Sequence, residues 1–173
     1  MNWLLLWIHL VALGVWLGET VFFAAVVAPA LFGGLGVEQA GAATALIFPD
    51  YYKLGYVCGL LLVVTALALW RRSRPTGGLW LLAAVVAGFI LIVCMFAGLV
   101  ILPEADGLRV QLHDPAASSA VRERFDALHG LAVQLNVTVL VGTLVLAGLL
   151  AARLSSSIVP GRRLSRYGSD PLL

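Results

Sequence analysis

Charge is what this chain has least of. Asp, Glu, Lys and Arg make up 12% of its 173 residues, about half of the roughly 25% usual in soluble domains. The formal net charge is only +2 and no basic block is present, so nothing suits a nucleic-acid backbone. Cysteine is nearly absent. Cys58 and Cys94 both lie inside apolar runs, which excludes a disulfide framework and a thiolate cluster. Ordinary apolar packing accounts for both thiols; a soft-metal pair is the alternative. No ten-residue alternating pattern appears, so a transmembrane β-barrel is not supported. Internal repeats and low-complexity tracts are missing. So are a nucleophile–base pairing, a nucleotide-binding loop and a metal-ligand motif, and the sequence leans away from an enzyme.

What is present is hydrophobic length. Apolar residues are 61% of the chain and mean hydropathy is +1.00. A spanning helix needs about 20 mostly apolar residues, and four stretches supply them: about 3–32, 51–70, 79–102 and 127–152. The first is too long for the 7–15-residue apolar core of a signal peptide and no Lys or Arg precedes it. The expected fold is an all-α membrane protein. Residues 1–153 form a four-transmembrane-helix bundle, and 154–173, with Ser155-Ser156-Ser157, Pro160-Gly161 and three arginines, form a mobile cytoplasmic tail.

Arginine placement orients the bundle. Arg71, Arg72 and Arg74 fill the link between the second and third spans, and Arg153, Arg162, Arg163 and Arg166 follow the fourth. The positive-inside rule makes that side cytoplasmic, with both termini inside. The expected location is the cell inner membrane, multi-pass. Trp3, Trp7, Trp70 and Trp80 fall at the inner interface. Tyr51, Tyr52 and Tyr56 fall at the outer end of span two, as amphipathic rings do.

The links carry their own signals. Gly33-Gly34 reads as a flexible break. Residues 37–47 read as a short surface helix that Phe48-Pro49 ends, because the residue before Pro is pushed out of helical geometry. An outer loop over 103–124 opens at Pro103. Its second half is helical from about Ala116, with Asp114 as N-cap and Pro115 at the first helical position.

Chemistry concentrates at few positions. Glu19 stands inside an apolar run. An ionisable group at a helix centre carries an insertion penalty of roughly 2.5–3.5 kcal/mol, so such residues face the bundle interior and find partners. Such a setting favours the neutral acid. Glu19 is read either as a proton- or cation-handling group or as a satisfied buried acid. His9 is not its partner on the same helix, because ten residues are about 15 Å of rise and about 80° of rotation. In span four, Arg122, His129, Asn136 and Thr143 recur every seven residues and form one stripe, with Gln134 off it. The depths bring Glu19, His129 and Asn136 to one outward-opening polar layer. His9 is left in the inner leaflet, to be met by another helix or a lipid head group. His9 and His129 lie in opposite leaflets and do not share one haem. The steps Gly14-xxx-Gly18 and Gly55-xxx-Gly59 permit close helix approach.

Three stretches carry a family likeness: HLVALGVWLGETVFF (9–23), LIFPDYYKLG (46–55) and RFDALHGLAVQLN (124–136). Together they resemble the TMEM205-like family (DUF4149), over nearly the whole chain to about Ala152. The resemblance implies a compact four-helix membrane protein. It makes His9, Phe48, Pro49, Tyr52, His129 and Asn136 motif positions. It implies no mechanism. The first helix alone is also similar to the CopD copper-resistance and HemJ group.

The leading functional expectation is a small transporter or permeation accessory using the Glu19–His129–Asn136 layer. One alternative is a haem- or copper-handling redox protein. Another is a structural or assembly protein without its own chemistry. No cofactor is expected, haem or copper remaining with the redox alternative, and no metal site is assigned. The partners expected are the lipid bilayer, a second copy of the chain or another membrane protein.

Overall fold

A computed structural model describes residues 2–73, 77–112 and 118–158. Every regular element among them is helical, and four helices are long and apolar enough to cross a membrane. The protein is an all-α four-helix bundle and a multi-pass membrane protein.

The first rod joins α1 (Asn2–Phe22), a π-helical turn (Phe23–Val27) and α2 (Ala28–Gly34). Two extended residues, Leu35 and Gly36, reverse the chain into α3 (Val37–Arg72). The third rod joins α4 (Gly78–Phe96), a second π-helical turn (Ala97–Ile101) and α5 (Leu102–Gln111). The last rod is α6 (Ser119–Ile158). The rods pack in a ring, with α3 against α1 and α4, and α6 against α4 and α1.

These helices overshoot a bilayer. Thirty-six residues of α3 span about 54 Å at 1.5 Å per residue, against a hydrocarbon core of about 30 Å. No charged residue lies between Lys53 and Arg71, between Gly78 and Glu104, or between Asp126 and Arg153. The uncharged slab therefore ends near Lys53, Glu104 and Asp126, and the helical excess projects at the face carrying the 35–36 link, the end of α5 and the start of α6. There Arg124 pairs with Glu104, Arg109 with Asp106 and Lys53 with Asp50. These pairs are partly or largely exposed and contribute little each.

Proline is where the local expectations and the structure part. Pro49 does not end a helix: α3 runs through it. Its missing N–H leaves the Ala45 carbonyl without a helical donor. Tertiary packing holds the flanks in line, because the Phe48 ring contacts Phe23, Tyr51 and Tyr52. Pro103 does not open a loop either, and residues 102–111 are helical. A proline ring collides with the carbonyl four residues back. For Pro29 and Pro103 those carbonyls belong to Ala25 and Leu99, inside the two π-helical turns. The wider turn accommodates the clash and lets each rod continue. Gly33 and Gly34 stay helical, and the reversal falls one residue later. α6 begins at Ser119, and the expected Asp114-Pro115 cap lies outside the described residues. The same holds for the expected tail beyond Ile158, while 154–158 are helical.

Small residues set the packing distance. Trp16, fully buried, lies across Gly55 and Gly59: a side chain at Gly55 would meet Cys94 Sγ at 2.9 Å and Trp16 Nε1 at 3.1 Å. Ile90 likewise occupies the notch left by Gly142. Gly14 and Gly18 do not take part. They face outward with open space around them, so Gly55-xxx-Gly59 receives a tryptophan rather than a second glycine stripe. Trp80, expected at the interface, is buried and packs edge-on against His9, whereas Trp3 and Trp7 are exposed as an interfacial belt requires.

Valine at Gly55 should therefore overpack the α1–α3–α4 contact and destabilise by about 1–3 kcal/mol. Valine at Gly14 should change stability by no more than about 0.5 kcal/mol. Thermal unfolding of the two variants in detergent checks this; equal shifts would contradict the packing described.

Candidate functional site

The polar layer is built around Asn136 of α6. An amide offers an acceptor and two donors at one tip, and all are used. Tyr51 Oη donates to Asn136 Oδ1 at 3.1 Å, and Asn136 Nδ2 donates to Tyr52 Oη at 3.1 Å and to the Ala132 carbonyl at 2.9 Å. Tyr51 and Tyr52 are neighbours on α3, about 100° apart around its axis, so their phenols close on the amide from two sides. Both rings are buried and packed edge-on to one another at 5.3 Å, with Phe23 and Phe48 against them. The second π-helical turn contributes space: a side chain at Gly98 would collide with Tyr52 and Tyr56.

Glu19 belongs to the same neighbourhood from α1. Its carboxyl is in electrostatic reach of the Tyr51 hydroxyl and of the Cys58 and Cys94 thiols. Thr20 is buried beside it and donates to the Trp16 carbonyl at 2.8 Å. Glu19 itself is half-buried, yet its Oε2 is enclosed and has no hydrogen-bond partner. Among the described residues it is the only buried side-chain polar atom in that condition. The buried threonines all satisfy themselves on their own helices: Thr44 bonds the Gly41 carbonyl, Thr65 those of Leu61 and Leu62, and Thr143 that of Leu140.

Tyr51 thus hydrogen-bonds Asn136 and lies within electrostatic reach of Glu19. His129 stands apart. It is exposed and stacks on Phe125, its neighbour one turn back, with ring centroids 6.4 Å apart. No hydrogen bond joins it to Asn136 or Glu19 among the described residues. The stripe on α6 runs from exposed Arg122 and His129 through half-buried Asn136 to buried Thr143, a gradient from the charged face into the slab.

His9 finds its partner on another helix. Its Nδ1 lies 2.7 Å from Thr65 Oγ1. The single proton of that hydroxyl points to the Leu61 carbonyl at 2.6 Å, so the hydroxyl accepts and His9 Nδ1 donates. This tautomer leaves Nε2 unprotonated, with Trp80 packed edge-on to the ring at 5.4 Å. A shallow recess beside His9 is walled by Leu146, Leu149 and Leu150 and reaches Arg153. No group of three or more His, Cys, Asp or Glu side chains among the described residues is arranged to hold a metal ion.

Sequence reasoning missed the hydroxyls of Tyr51 and Tyr52, which it assigned to an interfacial belt, and the Thr65 partner of His9. The signal for the tyrosines was present: two adjacent phenols precede a long apolar run, at the depth of a lone asparagine.

The family model described as "Domain of unknown function (DUF4149)" matches residues 11–114. The chain belongs to the DUF4149 family. The match takes in Glu19, Phe48, Tyr51 and Tyr52 and stops short of α6. An uncharacterized protein of Aquifex aeolicus (strain VF5) is 32% identical to this DUF4149 protein over 135 residues, 78% of this chain and 88% of the relative. No solved structure matches the chain significantly.

Thr65→Val keeps the side-chain shape and removes the acceptor. The buried His9 Nδ1–H then loses its partner, which costs about 1–3 kcal/mol. Adding His9→Leu should recover part of that loss. Thermal unfolding of the single and double variants reads this directly, and an unchanged melting temperature for Thr65→Val would contradict the assigned bond.

Proposed function

We propose that this protein is a small membrane transporter or permeation accessory that takes up a proton or another cation at Glu19, in the layer shared with Tyr51, Tyr52 and Asn136. The observation that carries the reading is the enclosed, partnerless Oε2 of Glu19. Among the described residues no other fully enclosed side-chain nitrogen or oxygen lacks a partner. A buried carboxyl without one remains expensive unless an occupant answers it, and an intramembrane acid is by default a site for ions or protons. His129 and Arg122 lie further out on the same face of α6.

Orientation is part of the same proposal. Arg71, Arg72 and Arg153 lie at the face where α1 begins and α6 ends, and the positive-inside rule makes that face cytoplasmic. Both termini then lie inside, the Glu19 layer opens outward, and the location is the cell inner membrane. The TMEM205-like kinship of the LIFPDYYKLG stretch belongs to this reading too.

A second reading has its own support. The Tyr51–Asn136–Tyr52 and His9–Thr65 bonds each tie two helices together, which is what a purely structural or assembly protein would show. Glu19 separates the two. Protein reconstituted in vesicles carrying a pH-sensitive dye should dissipate an imposed proton gradient. Glu19→Gln should reduce that flux to the protein-free level with helicity retained. Undiminished flux in Glu19→Gln would leave the structural reading standing.

A further inference from the structure

We infer that Glu19 anchors a binding site for a lipophilic organic monocation that arrives from the flank of the bundle rather than along its axis. This rests on the reading of Glu19 as a cation site given above, and it names the class of cation.

Three observations converge. The first is position. The buried face of α1 runs through Ala12, Leu13, Trp16 and Thr20, while Val15, Gly18 and Phe22 are exposed. Glu19 sits on the border between the two faces. One carboxyl oxygen is enclosed and the rest of the side chain reaches the apolar flank. Gly18 beside it leaves open space. A ligand dissolved in the bilayer meets the carboxyl without passing through a channel.

The second is what surrounds the carboxyl. On its own rod, Trp16 lies three residues before it, a spacing that shares a face, and Phe23, the first residue of the π-helical turn, follows four residues after. Tyr51 approaches from α3. Phe23 contacts Tyr51 at 5.3 Å and Phe48 at 5.0 Å. Aromatic faces attract organic cations through the ring quadrupole, and the attraction grows when the cation is desolvated. A negative charge set among aromatic residues suits a weakly hydrated monocation.

The third is what is missing for an inorganic ion. A hard cation needs six or more oxygen ligands. Among the described residues no group of three or more His, Cys, Asp or Glu side chains is arranged to hold a metal at Glu19. The titratable groups within electrostatic reach of it are Tyr51 and Cys58 on α3 and Cys94 on α4, none of them a cation. A protonated Glu19 is neutral, and a monocation bound to the carboxylate restores neutrality. Binding one therefore releases the proton on that carboxyl.

Tetraphenylphosphonium is the probe. Equilibrium dialysis against the full chain in phosphatidylcholine nanodiscs should show saturable binding, weakened as pH falls. Glu19→Gln should abolish it, and Glu19→Asp should retain it more weakly. Phe23→Leu, which keeps apolar volume but removes the ring, should weaken it severalfold. Undiminished binding in Glu19→Gln overturns the inference. Should that variant fail to fold, pH-independent binding by the native protein overturns it equally. Absence of binding alongside Glu19-dependent proton flux rejects the organic cation and keeps the cation-site reading. Absence of both rejects the two together.

Discussion

Hydrocarbon offers no hydrogen bonds, so each polar group that this bundle carries into the bilayer has to be answered from within. The chain meets this condition in two ways. Its threonines fold their hydroxyls back onto carbonyls of their own helices. That arrangement needs no neighbour and carries no information about the fold. Asn136 and His9 instead reach across helices, to Tyr51, Tyr52 and Thr65. Interhelical bonds of this kind are worth roughly 0.6–2 kcal/mol each. Their larger effect is to specify register, because a one-residue slip of α3 moves the tyrosine pair about 100° off the amide. The Asn136 bonds pin α3 to α6 at one depth, and the His9–Thr65 bond pins it to α1 at another.

Packing between these depths follows the same economy of contacts. Lipid tails are as apolar as leucine, so helices gain by close fit rather than by hiding apolar surface. Gly55, Gly59 and Gly142 provide notches, and Trp16, Leu91 and Ile90 fill them. The two π-helical turns belong to this layer. Each widens a rod where a proline would otherwise collide with it, and they flank the tyrosine pair through Phe23 and Gly98.

The four spans and the helical class were legible in the sequence, because they depend on apolar length and on 1.5 Å of rise per residue. The proline effects were not. Whether a proline breaks a helix depends on what holds its flanks, and the Phe48 contacts are long-range in sequence. The tyrosines were misplaced for a similar reason. A phenol at the end of a span is an interfacial anchor or a buried donor according to what faces it, and only the fold places Asn136 there. His9 was correctly separated from Glu19 by helical arithmetic. Thr65, 56 residues away, could not be found by it. Gly14 and Gly18 show the limit of motif reading, since their spacing matches a packing step and their faces meet nothing.

Glu19 is the exception around which the account turns: the bundle encloses one of its oxygens and gives it no partner. A group retained for chemistry should burden the fold, whereas a group retained for structure should support it. The most direct measurement is the thermal stability of Glu19→Leu beside Asn136→Leu, in the same detergent. The account predicts that Glu19→Leu melts at or above the native temperature while Asn136→Leu melts below it. A loss for Glu19→Leu as large as that for Asn136→Leu would show that the carboxyl holds the bundle together, and would contradict its assignment as a site.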